Sequence, residues 1–150
     1  MAGNTCNSIN ATVDSVIKLL TDNASTLGGL VGVYERDESP AIAFDNGIIP
    51  VAYVIPLVEG KDNFDIQPGG IPVARHSFPI NIVAYYVYPT VEAGIRPTRG
   101  FGYTALDLFR ETHSLPIGQV TGGGLEVGYF QVVDVVIHYF ILTLNVKAMI

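Results

Sequence analysis

The chain has 150 residues, which fits one domain with a core of its own and calls for neither a disulfide nor a metal to hold it. Apolar residues make up 49% and charged residues only 15%, where about 25% charged is usual. The 14 acidic and 8 basic residues leave a net charge of −6, which argues against a module that wraps nucleic acid, though not against an acidic surface that faces DNA and repels it.

A chain so short of charge has trouble covering its surface with polar groups. Burying part of it against neighbouring subunits is one solution, and a monomer with a dense core is the other. Cys6 is the only cysteine, so no internal disulfide is expected. The first ten residues, MAGNTCNSIN, carry no basic or apolar stretch of a signal peptide, and no leader is expected.

Ser8 to Asp22 reads as an amphipathic helix. Ile9, Val13, Val16, Ile17 and Leu20 make one apolar stripe, Asn7 or Ser8 is placed to cap it, and Asn23 and Gly28-Gly29 end it. Leu27 to Tyr34 is Gly-rich and apolar, and Glu35 to Glu38 is a charged turn. Pro40 introduces a short strand, Ala41 to Phe44, followed by the turn signal Asp45-Asn46-Gly47. Val51 to Val58 is strand-like, with Pro50 and Pro56 restricting it to an edge or an irregular course. Glu59 to Ser77 has no clear period and reads as a long loop.

Phe78 to Tyr88 is the clearest central strand, apolar on both faces. Arg96-Pro97-Thr98-Arg99 leads into a second helix capped at Thr98. Phe101, Ala105, Leu108 and Phe109 form its stripe, and Pro116 and Gly118 close it. Thr121 to Gly124 reads as a flexible linker or turn. Glu126 to Lys147 is extended throughout, with alternation at its end. At ~3.3 Å per residue it would run roughly 70 Å, so it bends, breaks in two or projects. Its apolar part is too short for a membrane helix and contains Asp134 and His138. The predicted class is α+β: a mostly antiparallel sheet of about four strands packed by two helices, with a long loop and an extended C-terminal strand or hairpin.

No catalytic machinery is legible. His76, His113 and His138 lack the spacing of metal ligands, and solvent, a helix end and a strand face account for them. There is no nucleophile elbow, and Gly122-Gly123-Gly124 is followed by no Lys and opens no helix, so it is no phosphate loop. Asp107 and Glu111 read as an exposed acidic face flanking Arg110. No cofactor, metal or catalytic residue is assigned. The eight tyrosines suit either an interface or plain strand packing. Among the scarce basic groups, Arg36, Arg96, Arg99 and Lys147 are candidate contact residues for a charged neighbour, ordinary surface charge being the alternative.

The succession of an amphipathic first helix, Leu27 to Tyr34, Ser39-Pro40-Ala41-Ile42, the strand Phe78 to Tyr88, the helix Phe101 to Glu111 and the closing strand Tyr129 to Val146 resembles the tail-terminator (tail-completion) and neck proteins of tailed bacteriophages. The resemblance covers most of the chain as an order of elements; the loop Glu59 to Ser77 and the long last strand depart from it. It implies one tail-terminator-like domain over residues 1–150, in a virion protein assembled in the host cytoplasm. Its partners would be copies of itself in a ring, usually a hexamer, with tail tube, sheath in contractile phages, and neck or connector proteins on its faces. Double-stranded DNA would pass through the lumen without specific binding, and no membrane would be involved. The family brings no catalytic residues. Six copies would carry roughly −36 of formal charge, and an acidic lumen would let DNA slide. Other expectations stay open: a connector adaptor, a tail-tube subunit, a decoration protein, or an enzyme or ligand binder with a cleft near Arg75, His76 and Arg96. In the assembly reading, loss of Gln119 to Val127 harms association more than folding.

Overall fold

The structure is a computed structural model and describes residues 4–57, 63–66, 74–112, 118–132 and 134–149. In chain order it comprises α1 (Asn4–Asp22), a 3-10 turn (Ala24–Leu27), β1 (Gly32–Tyr34), α2 (Pro40–Asp45), β2 (Val51–Pro56), β3 (Asn63–Ile66), β4 (Ala74–Tyr88), α3 (Val91–Glu111), β5 (Gly118–Val132) and β6 (Val135–Met149). The expected α+β class holds, with six strands in one sheet of order β1-β2-β4-β6-β5 and β3 pairing separately with β4. Among the described strands only β1 and β2 run parallel; the other pairs are antiparallel.

The stripe of α1 packs as its period dictates, with Val13, Val16 and Leu20 buried and Asp14 and Lys18 exposed. The helix begins a turn before Ser8, so Asn7 and Ser8 are interior positions and not caps. Asn23 ends it by donating its side-chain amide to the Leu19 carbonyl, at 2.8 Å. Gly28 then turns the chain at φ +86°, where a β-carbon would press on the rings of Tyr86 and Phe101.

Four sequence expectations are corrected by local chemistry. Ala41 to Phe44 is helix, because the Ser39 hydroxyl accepts the Ile42 amide at 3.2 Å and Pro40 fits the first helical turn. Asn46-Gly47 closes that helix, with Gly47 at φ +67°, and makes no hairpin. β2 lies inside the sheet, between β1 and β4; Pro50 precedes it and Pro56 is its last residue, so neither breaks the ladder within it. Part of the expected loop Glu59 to Ser77 is strand, since β3 pairs with the first residues of β4; 58–62 and 67–73 lie outside the described residues.

The second helix also starts earlier than expected. Thr90 caps it, its hydroxyl accepting the Ala93 amide at 3.1 Å, and Thr98 is a buried position inside it. Pro97 is tolerated within the helix, where it removes the hydrogen bond to the Ala93 carbonyl. The predicted stripe holds: Ala105 and Phe109 are buried, Phe101 and Leu108 half-buried. Pro116 lies outside the described residues, and Gly118 opens β5.

Glu126 to Lys147 breaks in two, β5 folding back on β6 at Val132↔Val135. Thr121 to Gly124 is therefore no linker. It lies within β5, where a bulge between Val120 and Gly122 sets Thr121 aside from the register. The Thr121 hydroxyl donates to the Asn145 carbonyl at 3.2 Å, and Gly123 comes so close to the Thr143 carbonyl that a β-carbon would collide with it.

The main core lies on one face of the sheet. There α1 and α3 cover Ala52, Val54, Ile80, Ile82, Phe140 and Leu142. The Tyr86 hydroxyl ties that layer to the 3-10 turn by donating to the Leu27 carbonyl at 2.6 Å. The opposite face carries a smaller cluster, Ala43, Val51, Tyr53, Val83, Tyr85 and Ile137, with α2 its helical contributor. Both long helices thus sit on one side of the sheet.

Candidate assembly edges

β5 is a 15-residue strand at the end of the sheet's order, and its ladder partner is β6. Proteins normally blunt such an edge with Lys, Pro or short length. Here Gly118 to Val132 contains neither Lys nor Pro, and Glu126 is its only charge. Val127 and Tyr129 (51% exposed) project on the helix-covered face and Phe130 (45% exposed) on the other.

The strand is backed by rigid packing. Phe130 stacks on Tyr139 with ring centroids 5.0 Å apart. Tyr129 leans on His138 at 5.7 Å, and Tyr88 meets the same imidazole edge-on at 5.4 Å. His138 is buried, with Nε2 3.4 Å from the Thr90 carbonyl. Gly94 passes directly over it, and a β-carbon there would run into the ring. The aromatic groups on the hairpin are thereby fixed against the start of α3, so exposing them carries little ordering cost on association.

At the other end of the sheet, β1 is a three-residue strand. Val31 (65% exposed) precedes it, exposed Tyr34 ends it, and Ile42 and Phe44 of α2 add exposed apolar surface. The Arg36 guanidinium lies 4.8 Å from the Tyr34 ring centroid and 5.7 Å from that of Tyr53, and its Nε is 3.7 Å from a Glu38 carboxylate oxygen. Tyr53 is fully buried, and among the described residues its hydroxyl has no partner of good hydrogen-bond geometry, the Arg36 guanidinium being a polar group beside it. Burial raises its pKa, and the adjacent Arg36 opposes that shift. Tyr85 donates to the Glu38 carbonyl at 3.0 Å; burial first, then the charges of Asp37 and Glu38, push its pKa up to about 12.

A groove of about 450 Å³ opens between the end of α3 and the glycine-rich part of β5, lined by Leu106, Phe109, Arg110, Val120 and Leu144 among others. Among the described residues Arg110 is the one ionisable side chain on its lining, and it pairs with Asp107 at 3.5 Å. Among the described residues no group of three or more His, Cys, Asp or Glu could hold a metal, and no helix is long and apolar enough to cross a membrane.

The four basic candidates stand apart and form no common patch. Arg36 lies at the β1 edge, Arg96 and Arg99 are exposed on α3, and Lys147 is exposed on β6 opposite Gln119 and Ser77. The cleft expected near Arg75, His76 and Arg96 is not assembled. Arg75 is in register with Met149 near one end of β4, whereas Arg96 follows Gly94, which packs on His138, opposite Tyr86 near the other end. Arg75 and Tyr86 are separated by ~35 Å of extended strand. His113 lies outside the described residues. The sequence pointed to Gln119 to Val127 as a segment for association but read its glycines as a linker or turn, so its place in the β5 ladder was not legible; the absence of Lys and Pro was the further signal.

No model of a known protein family matches the chain, and no curated protein does. Among solved structures, a chain from the virion of a native gene transfer agent particle is similar at 18% identity and a TM-score of 0.45, covering 93% of this chain and 97% of that one. So slight a likeness carries nothing about what this chain does.

Proposed function

We propose that this chain is a structural virion subunit that closes into a ring, expected to be hexameric, at the head-proximal end of a phage tail. There it would join tail tube to neck and let DNA pass through its lumen. The observation that carries the assembly part is the β5 edge: 15 residues with no second ladder partner among the described residues, bearing exposed Val127, Tyr129 and Phe130 and a single charge. An edge of that kind is suited to strand addition by another protein. The tail-end placement rests on the order of elements that resembles the tail terminators. Arg36, Arg96, Arg99 and Lys147 are proposed contacts to acidic neighbours, and the domain is proposed to act without catalysis or cofactor.

Light scattering on the purified protein over a range of concentration tests the ring. The expected result is a closed species near six times 16.1 kDa that does not grow further as concentration rises. A strict monomer at all concentrations would overturn self-assembly. Negative-stain images should show a central opening, and a solid particle would overturn the conduit. An opening lined by Lys and Arg would sink the acidic lumen inferred from the net charge of −6.

A further inference from the structure

α3 is held to the sheet unevenly along its length. The residues it gives to the main core or packs against it, Phe101, Ala105, Leu106, Leu108 and Phe109, all follow Gly100. Phe101 is also stacked on Tyr86, with ring centroids 4.8 Å apart. The turns before Gly100 contribute to neither apolar cluster among the described residues, and Val91 and Ile95 are only half-buried. Their anchor is Gly94, seated on the His138 ring, with His138 Nε2 3.4 Å from the Thr90 carbonyl. The helix is also weak where the two parts join. Pro97 has no amide hydrogen, so the Ala93 carbonyl loses its helical bond. Thr98 is buried, yet its hydroxyl has no hydrogen-bond partner among the described residues, a cost that contact with water would relieve. Gly100 faces solvent, and a β-carbon there would meet nothing within 4 Å. Packing therefore gives no reason for glycine at that position, the poorest helix former after proline.

We infer that residues 91–100 form a flap that opens by local unfolding while residues 101–111 stay docked on the sheet. A segment with few buried apolar contacts opens at a lower free energy than the whole fold. Opening uncovers His138 and loosens the seat of Tyr88 and Tyr129, whose ring centroids lie 5.4 and 5.7 Å from the imidazole. The flap thereby sets how firmly the exposed Tyr129 ring is held on β5. Nothing in the flap depends on a partner, so a chain that never self-associates opens in the same way.

Native-state hydrogen exchange on the full chain tests the flap. The amides of Ile95, Arg96, Thr98 and Arg99 should share one opening equilibrium, more than about tenfold above that of Ala105 to Phe109. Two variants, each first shown to fold by circular dichroism, separate the flap from the rest of the helix. Gly100→Ala puts a better helix former on the flap and should slow those four amides about fivefold. Leu108→Ala removes a core contact beyond the flap and lowers the urea midpoint, yet should leave the same amides unchanged, because that contact survives opening. Protection that climbs smoothly from Ile95 to Phe109 marks ordinary end fraying and overturns the flap. So does a Gly100→Ala change without effect on the four amides. A Leu108→Ala change that quickens them as much as it lowers global stability also overturns it, since the helix then opens only as a unit. Should Leu108→Ala fail to fold, the exchange pattern of the unmodified chain and the Gly100→Ala response decide.

Discussion

At the scale of single residues, Gly94 and Tyr85 make the sharpest predictions. Gly94→Ala places a methyl group inside the His138 ring, in a position closed by Thr90 and Tyr88. Overpacking of this kind destabilises by about 1–3 kcal/mol. Urea unfolding should show that loss, and adding His138→Ala should recover part of it, since residues in contact do not act additively. For Tyr85 the folded pKa stands above the ordinary 10, at about 12, chiefly because burial disfavours the phenolate. Folding therefore favours the neutral ring. Its contribution is whole below pH 10 and drains away as pH rises from 10 towards about 12, where the unfolded chain ionises first. Tyr86, buried more deeply, is shifted in the same direction, again mainly by burial. Stability measured by denaturant midpoint should fall above pH 10, and Tyr85→Phe should make the fall shallower; an unchanged slope would count against the assignment.

At the scale of elements, the bulge in β5 depends on glycine. Gly123→Val would drive a side chain into the Thr143 carbonyl and unpair the start of the hairpin. Hydrogen exchange should then quicken at Gln119 to Leu125 and at Leu144 to Lys147, while β2 and its ladder to β4 stay protected. The same strand shows where the sequence is readable. Long periodic elements were legible: the stripe of α1, the alternation of β6 and the apolar run of β4 each follow from burial on a helix or a sheet. What escaped were elements decided by one local contact. The α2 cap at Ser39 looks like any serine before a proline. The glycines of β5 look like a linker because their place in a ladder is set by β6, some 20 residues further on. Gln119 to Val127 was expected to serve association, but its place in an edge strand went unread for that reason, whereas the basic residues, conspicuous by their scarcity, fall in three separate places. Deleting Gln119 to Val127 also proves too blunt a test, since Val120 and Leu125 pack on the core.

At the scale of the whole molecule, subunits of net charge −6 repel one another, whereas the β5 edge proposed for assembly presents exposed Val127, Tyr129 and Phe130 and a single charge. Added salt screens long-range repulsion more than it weakens buried apolar contact. The prediction is that raising salt from about 0.05 M to about 0.5 M strengthens association in light scattering, the range spanning a severalfold change in screening length. Dissociation on adding salt would instead mark an interface held by charge.

The position of β6 has a consequence for how the chain is made. Among the six described strands it comes last, yet it lies inside the sheet, between β4 and β5, and contributes Phe140, Leu142 and Leu144 to the main core. While a ribosome is still delivering it, β4 waits with one apolar flank unpaired, and the helices have only part of a sheet to settle on. Such an order favours late, cooperative folding dominated by distant contacts. During that interval the nascent chain offers strand edges that the finished subunit hides, so a chaperone or rapid completion of synthesis would protect it from premature association.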